Sequence, residues 1–127
     1  MTTTKKLLPA VLKMRTFVPA KNFEESRKFY EALGFASTKL NDKSFEMRLG
    51  SEAFFLQNFY VKEFADNLMM QVLVSDLDEW WDHISGLSLE RNFHVVPARP
   101  PSLQPWGLRV AYVWDPSGVL WHFASDS

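Results

Sequence analysis

Cysteine is absent from the 127-residue chain. A chain without cysteine has no disulfide bonds, no thiolate nucleophile and no cysteine ligands for zinc. The sequence also lacks any apolar run near the roughly 20 residues that a membrane-spanning helix needs. Residues 1–10 are polar and lack the apolar segment of a signal peptide. We therefore expect a cytoplasmic protein with no membrane partner.

An excess of charge of one sign is missing as well, since the formal net charge is -1. Without an evident basic face, a nucleic-acid partner has little support. The chain contains no GxGxxG, GxSxG or P-loop motif, and its 3 histidines form no cluster at metal-ligand spacing. These absences leave no motif of nucleotide binding or of nucleophilic catalysis.

Aromatic residues are abundant by contrast, and the 11 Phe, 5 Trp and 3 Tyr make up 15% of the chain. Rings of this kind bury large areas in a core and also line ligand pockets, so either role is open. The length suits one domain, and we predict a single domain over residues 1–127.

The first half of the chain shows a strand followed by a capped helix. Residues 13–20 (KMRTFVPA) form an apolar, β-rich run. Asn22 and Glu25 then have the spacing of a capping box, and apolar residues recur at helical spacing up to Gly34. Because glycine commonly follows the last residue of a helix, we predict a helix over residues 22–33.

A β-hairpin is predicted next, with strands at residues 45–49 and 53–57. Gly50-Ser51 suits a two-residue type II′ turn, which pairs Met47 with Phe54 and sets the register. The apolar pairs then face the helices. The opposite face, toward a cleft, carries four candidate ligand-binding residues: Glu46, Arg48, Phe55 and Gln57.

The same order of elements then returns. Residues 69–75 form a second β-rich run, and Asp76 and Glu79 repeat the capping spacing. A helical apolar stripe follows at Leu77, Trp80, Trp81, Ile84 and Leu87. We predict an α+β fold of two βαβββ modules, at about residues 11–60 and 68–125, whose curved mixed sheets surround a cleft.

The closing hairpin is predicted around a four-residue turn, Asp-Pro-Ser-Gly, with strands at residues 109–114 and 119–123. This turn pairs Trp114 with Val119. One face then holds Val110, Tyr112, Trp121 and Phe123. The smaller and partly polar face, which is the better candidate for a cavity, holds Arg109, Ala111, Val113, Leu120 and His122.

Several residues predicted at the cleft carry chemistry. Arg109 could bind an anion through paired N–H donors, or form an ordinary ion pair. His122 could exchange a proton near neutral pH, or be a hydrogen-bonded core residue. Glu46 could pair with Arg48 or with Arg109. Trp106 could cover the cleft, or lie in a surface loop.

Three segments together resemble the glyoxalase/bleomycin-resistance/dioxygenase superfamily, also called the vicinal oxygen chelate superfamily. The segment FVPAKNFEESRKFYEALGF (17–35) resembles its opening strand and helix. VLVSDLDEWWDHI (72–84) resembles the second strand and helix, and PWGLRVAYVWDPSGVLWHF (105–123) the closing hairpin. The resemblance implies paired βαβββ modules, a site on a concave sheet and a homodimer.

Metalloenzymes of that superfamily carry ligands on four strands, typically His and Glu. The resemblance maps these positions onto Thr16, Met70 or Gln71, Leu56 or Gln57, and His122. Only His122 is a good ligand for a first-row metal, whereas such ions need about three or four protein ligands. We therefore expect neither a metal nor another cofactor.

The sequence favours a metal-free protein that binds a small molecule in an aromatic-lined cleft, similar to the bleomycin-resistance branch. The alternative is a lyase, isomerase or dioxygenase of the same superfamily with an atypical or absent metal site. In that case His122 and Glu46 could act as acid and base. A partner-binding module built on the same sheet is a third interpretation.

Overall fold

Two four-stranded β-sheets, built one after the other along the chain, form the framework of the structure. The computed structural model describes residues 7–126. The first half contains β1 (Phe17–Pro19), α1 (Phe23–Leu33), β2 (Ala36–Asn41), β3 (Ser44–Leu49), β4 (Glu52–Gln57) and α2 (Lys62–Asn67). The second half contains β5 (Met69–Leu73), α3 (Leu77–Ser85), α4 (Leu89–Phe93), β6 (Arg99–Leu103), β7 (Arg109–Trp114) and β8 (Leu120–Ser125).

Both sheets have the same topology. Their strand orders are β1-β4-β3-β2 and β5-β8-β7-β6. In each sheet the first strand runs parallel to the last, and the other neighbours are antiparallel. The repeated unit is therefore βαβββ, and the predicted α+β fold of two such modules is confirmed.

Both long helices begin at the predicted caps. The side chain of Asn22 accepts a hydrogen bond from the backbone N–H of Glu25 at 3.0 Å, and Asp76 accepts one from Glu79 at 3.0 Å. Such caps satisfy N–H groups that have no partner within the first turn. Gly34 ends α1 with φ 127°, which a residue with a Cβ rarely adopts. No helix within residues 7–126 is long and apolar enough to cross a membrane.

The β3–β4 hairpin has the register that the sequence predicts. Met47 lies opposite Phe54, and Phe45 lies opposite Leu56. Gly50 has φ 61°, as the first central residue of a type II′ turn requires. Met47, Phe54 and Leu56 are buried in the core. This face of the sheet is therefore covered by helix α1, and the opposite face is open.

The closing hairpin has a different register from the predicted one. Its loop contains three residues, because the backbone N–H of Asp115 donates to the carbonyl of Val119 at 3.0 Å. The Asp115 carboxylate accepts two backbone N–H groups of the loop, and Gly118 has the positive φ of 94° that suits a G1 bulge. Trp114 consequently lies opposite Leu120. The prediction of a four-residue turn was wrong, and the two faces of β7 are exchanged relative to it.

Four elements were not assigned to residues in the sequence-based prediction: β2 and β6, which the βαβββ modules imply, and the short helices α2 and α4. Strand β2 is mostly exposed and lacks apolar alternation, and β6 contains Pro100 and Pro101, which belong at a sheet edge. Helices α2 and α4 have 6 and 5 residues, too few to show a helical period. Strand β1, in turn, occupies only the end of the predicted run 13–20.

A hydrophobic cluster joins the two sheets. The ring of Tyr30 on α1 lies 4.9 Å from that of Phe54 in the first sheet and 5.5 Å from that of Trp121 in the second. The ring of Trp80 on α3 packs on that of Phe123, with centroids 5.2 Å apart, so Trp80 belongs to the hydrophobic core. The helix-covered faces of both sheets thus turn toward this shared core, and their open faces point away from it.

A buried polar cluster also links the two modules. The Tyr30 hydroxyl donates to the Asp115 carboxylate at 2.5 Å and accepts from the Trp121 indole N–H at 2.9 Å. The hydroxyl oxygens of Ser26 and Ser117 are 3.4 Å apart. Burial raises the pKa of Asp115 to about 6, although its hydrogen bonds act in the opposite direction. These bonds attach helix α1 of the first module to the closing turn of the second.

Candidate functional site

The open face of the second sheet combines polar and aromatic side chains in one row. Gln71, His122, Tyr112 and Arg99 lie at successive register positions across β5, β8, β7 and β6. Strand alternation places further side chains on this face. They are Met69, Leu73, Val110, Trp114, Leu120 and Ala124.

The rings of this face form a connected platform. The imidazole of His122 meets the ring of Tyr112 edge-on, with centroids 4.9 Å apart. Tyr112 and Trp114 lie 6.2 Å apart with their planes inclined by 30°. The guanidinium carbon of Arg99 lies 5.3 Å from the centroid of the Trp114 ring, in a cation–π contact. A platform of this kind is suited to stacking a planar ligand.

The central positions of the same face are buried. Val110 and Ala124 are fully buried, yet neither belongs to the hydrophobic cluster on the other side of the sheet. Strand alternation directs both side chains to the open face. The larger side chains that surround Val110 and Ala124 therefore cover them and form the surface of this face.

The surroundings of His122 favour its neutral form. Partial burial lowers the pKa of its imidazole below the ordinary value. A neutral imidazole presents one N–H donor and one acceptor nitrogen. His122 can therefore orient a polar group of a ligand by hydrogen bonding, without adding charge to the face.

The open face of the first sheet carries the four residues that the hairpin register predicts there. Glu46 accepts a hydrogen bond from the Arg48 guanidinium at 3.1 Å, so these two charges neutralise each other. Phe55 packs against Phe17 with centroids 5.1 Å apart. Gln57 lies beside them at the end of β4, opposite Ser44 of β3.

Arg109 lies elsewhere than the sequence suggests, whereas Trp106 takes one of the two positions that the sequence left open. Arg109 is opposite Ser125 in the ladder, on the helix-covered face, where its guanidinium donates to Asp78 of α3 at 2.9 Å. The expectation that it shares a face with His122 was wrong, because it rested on the four-residue turn. Trp106 is 58% exposed in the turn that precedes β7. It therefore lies in a surface loop.

The same error of register hid Tyr112 and Trp114, whereas Arg99 was missed for a different reason. Tyr112 was expected on the helix-covered face, and Trp114 and Arg99 received no role. A three-residue loop closed by Gly118 would have given the observed register from the sequence. Arg99 lies in the proline-rich segment RPPSL, which shows no strand periodicity, so no pattern in the sequence points to it.

The donor set does not fit a catalytic metal. Gln57 lies on the open face of the first sheet, which carries no histidine. Gln71 lies beside His122 on the open face of the second sheet. Within residues 7–126, no three His, Asp or Glu side chains converge as a metal ion would need. The Nε2 atom of His83 is instead 2.9 Å from the carbonyl oxygen of Leu33. No step that requires a metal is derived for this chain.

A groove of about 670 Å³ lies between the two modules. It opens beside Met14 and is bounded by the tip of the β3–β4 hairpin and by strand β5. Its deeper walls are rings of the core: Phe35, Phe54, Trp80 and Trp121. Gln71 and Leu73 of the second sheet's open face also line this groove, so the groove borders that face at the edge strand β5.

The arrangement of the two modules matches that of several solved structures. One of them is a bleomycin-binding protein solved in complex with bleomycin. The alignment with it covers 92% of this chain and 100% of that protein, with a TM-score of 0.78 at 20% identity. A bleomycin resistance determinant encoded on the transposon Tn5 gives a TM-score of 0.77 at 20% identity, over 92% of this chain and 99% of that one. The chain has the vicinal oxygen chelate fold.

The vicinal oxygen chelate fold was the one predicted from the three motif segments, and that prediction is confirmed. A lactoylglutathione lyase from Agrobacterium tumefaciens has the same fold, with a TM-score of 0.66 and 17% identity over 92% of this chain and 95% of its own. No protein family and no curated protein matches the chain by sequence. Because the fold serves both binding proteins and an enzyme, function must be argued from the site.

Proposed function

We propose that this protein binds a planar small molecule in an aromatic-lined cleft formed by the open faces of its sheets, without a resident metal. One observation carries the proposal: the row of Gln71, His122, Tyr112 and Arg99 on the open face of the second sheet. Sites that combine rings with a few convergent polar groups are typical of small-molecule binding. Two similar structures are of bleomycin-binding or bleomycin-resistance proteins, which is consistent with a binding role.

Binding is favoured over the enzymatic alternative by the partners of the charged groups. Glu46 bonds Arg48 in the first sheet, and His122 lies in the second sheet among rings. General acid–base catalysis needs both groups within reach of one substrate. A single chain does not bring this pair together, and no other observation favours catalysis. The cytoplasmic location, the single domain and the lack of a nucleic-acid partner stay predictions.

We further propose that two copies of the chain complete the cleft. The two open faces point away from the common core of one chain, so each lacks a wall opposite it. A two-fold dimer would place the second sheet of one copy over the first sheet of the other, and a closed two-fold arrangement is the commonest assembly of soluble proteins. Large apolar side chains on these faces, Met69 and Leu73, are 64% and 63% exposed, which is typical of an interface.

The N-terminal arm, residues 7–14, supports the same proposal. Leu7, Leu8, Val11, Leu12 and Met14 are 80–90% exposed in a segment that belongs to no helix or strand. The groove between the modules opens beside Met14 and offers an apolar wall. We propose that the arm of one copy packs into the groove of the other, because burial there removes this apolar surface from water.

Charge placed in the arm tests the assembly. The double substitution Leu8→Asp and Leu12→Asp is expected to convert a dimer into a monomer, because two carboxylates are costly to bury. Sedimentation or light scattering at fixed protein concentration gives the mass directly. Val61→Asp with Val96→Asp is the matched control, since both valines are exposed outside the arm and the open faces. A native chain that is monomeric, or equal effects of the two double variants, would contradict the proposal.

Truncation of the central ring tests the binding site. Tyr112→Ala is expected to weaken binding of the planar probe naphthalene-2-carboxamide by about tenfold, because the stacking surface is lost. Phe64→Ala, which removes an exposed ring from α2, should leave the affinity unchanged. Isothermal titration calorimetry provides both constants. Equal affinities for the native chain and Tyr112→Ala, or no binding of the probe at millimolar concentration, would count against the site.

A further inference from the structure

We infer that the ligand is a planar aromatic acid whose ring packs against Tyr112 and whose anionic group binds Arg99. This inference rests on the proposed function and adds the charge of the ligand. It follows from the distribution of charge over the open faces and from the position of one guanidinium.

At the ladder positions of the two open faces, the side-chain charges sum to an excess of one positive charge. In the first sheet, Glu46 and Arg48 form a pair at 3.1 Å and cancel. In the second sheet, the side chains at the ladder positions of the open face include no Asp or Glu among the residues that the structure describes. Arg109 is paired with Asp78 on the helix-covered face. The guanidinium of Arg99 is therefore the charge that a ligand meets.

The Arg99 side chain is also held in a position suited to an anion. Its guanidinium lies over the Trp114 ring at 5.3 Å, and Arg99 is the cross-strand neighbour of Tyr112. Stacking on a ring occupies one face of the guanidinium plane and leaves N–H donors at its edge, where a carboxylate can bind with two parallel hydrogen bonds. An aromatic ring packed on Tyr112 would bring an attached acid group to this edge.

Three probes of one shape separate charge from stacking: naphthalene-2-carboxylate, naphthalene-2-carboxamide and 2-(aminomethyl)naphthalene. Calorimetric titrations of the native chain should show the carboxylate binding about tenfold more tightly than the carboxamide, with the amine weakest. Arg99→Gln should abolish the preference for the carboxylate, and Arg99→Lys should retain part of it, because lysine keeps the charge without the planar fork. Arg91→Gln, an exposed arginine of α4, is the matched control and should behave as the native chain.

The outcomes distinguish this inference from the proposed function. If carboxylate and carboxamide bind equally, if the amine binds most tightly, or if Arg99→Gln keeps the preference, the anionic ligand is wrong although the binding site stands. If none of the three probes binds at millimolar concentration, both the inference and the proposed function fail.

Discussion

Replacing Trp121 with leucine is expected to lower the free energy of unfolding by about 4 kcal/mol. The Trp121 ring is 2% exposed and lies between both modules, within 5.6 Å of the rings of Tyr30, Phe35 and Phe54. Leucine leaves part of that volume empty. It also removes the indole N–H that donates to the Tyr30 hydroxyl at 2.9 Å. Urea unfolding followed by circular dichroism measures the loss.

The same substitution at Trp106 is the control for this prediction. Trp106 is 58% exposed in a turn, so Trp106→Leu should change the unfolding free energy by less than about 0.5 kcal/mol. A single cooperative transition is expected for both variants, because the two sheets share one hydrophobic cluster. Similar losses at positions 106 and 121, or separate transitions of the two modules, would contradict the shared core.

Asp115→Asn is expected to change how stability depends on pH. Burial raises the pKa of Asp115 in the folded chain to about 6, above the value of 3.8 for an exposed aspartate. The folded state therefore binds a proton more readily than the unfolded state between these two values. The resulting stabilisation is fully present below pH 3.8 and is lost as the pH rises through about 6. The difference between the two pKa values corresponds to on the order of 3 kcal/mol.

The native chain should consequently gain stability relative to Asp115→Asn as the pH falls from about 7 to about 4. Chemical denaturation of both chains at several pH values gives the difference in unfolding free energy at each. Asp82→Asn, an exposed aspartate of α3, is the control and should show no such trend. If the difference between native chain and Asp115→Asn is constant or shrinks toward low pH, the buried carboxyl does not take up a proton in the folded state.

Local rules predicted the framework of this fold. Asn22 and Asp76 mark helix starts because their side chains cap the first turn, and Gly50 marks a tight hairpin because its φ is positive. These features depend on residues within a few positions of one another. Motif resemblance over three segments then gave the order of the elements and the fold.

The site of the second sheet could not be predicted to the same extent. Its row depends on the register between β7 and β8, and a change of one residue in the loop length exchanges the faces of a strand. A glycine at position 118 is compatible with the three-residue loop that the structure has, but the segment Asp-Pro-Ser-Gly also suits a loop of four residues. Arg99 reaches its position through pairing with β7 and a local irregularity between Arg99 and Ser102. The periodicity of the segment RPPSL predicts neither this pairing nor the irregularity.

The most direct test of the account follows the imidazole signals of the 3 histidines by NMR during titration with naphthalene-2-carboxylate. His122 lies in the proposed site, whereas His83 contacts the carbonyl of Leu33 and His94 is exposed at the end of α4. We expect the His122 signals to move with saturation while the other two stay in place. Movement of His83 or His94 alone, or no movement of His122, would contradict a ligand site on the open face of the second sheet.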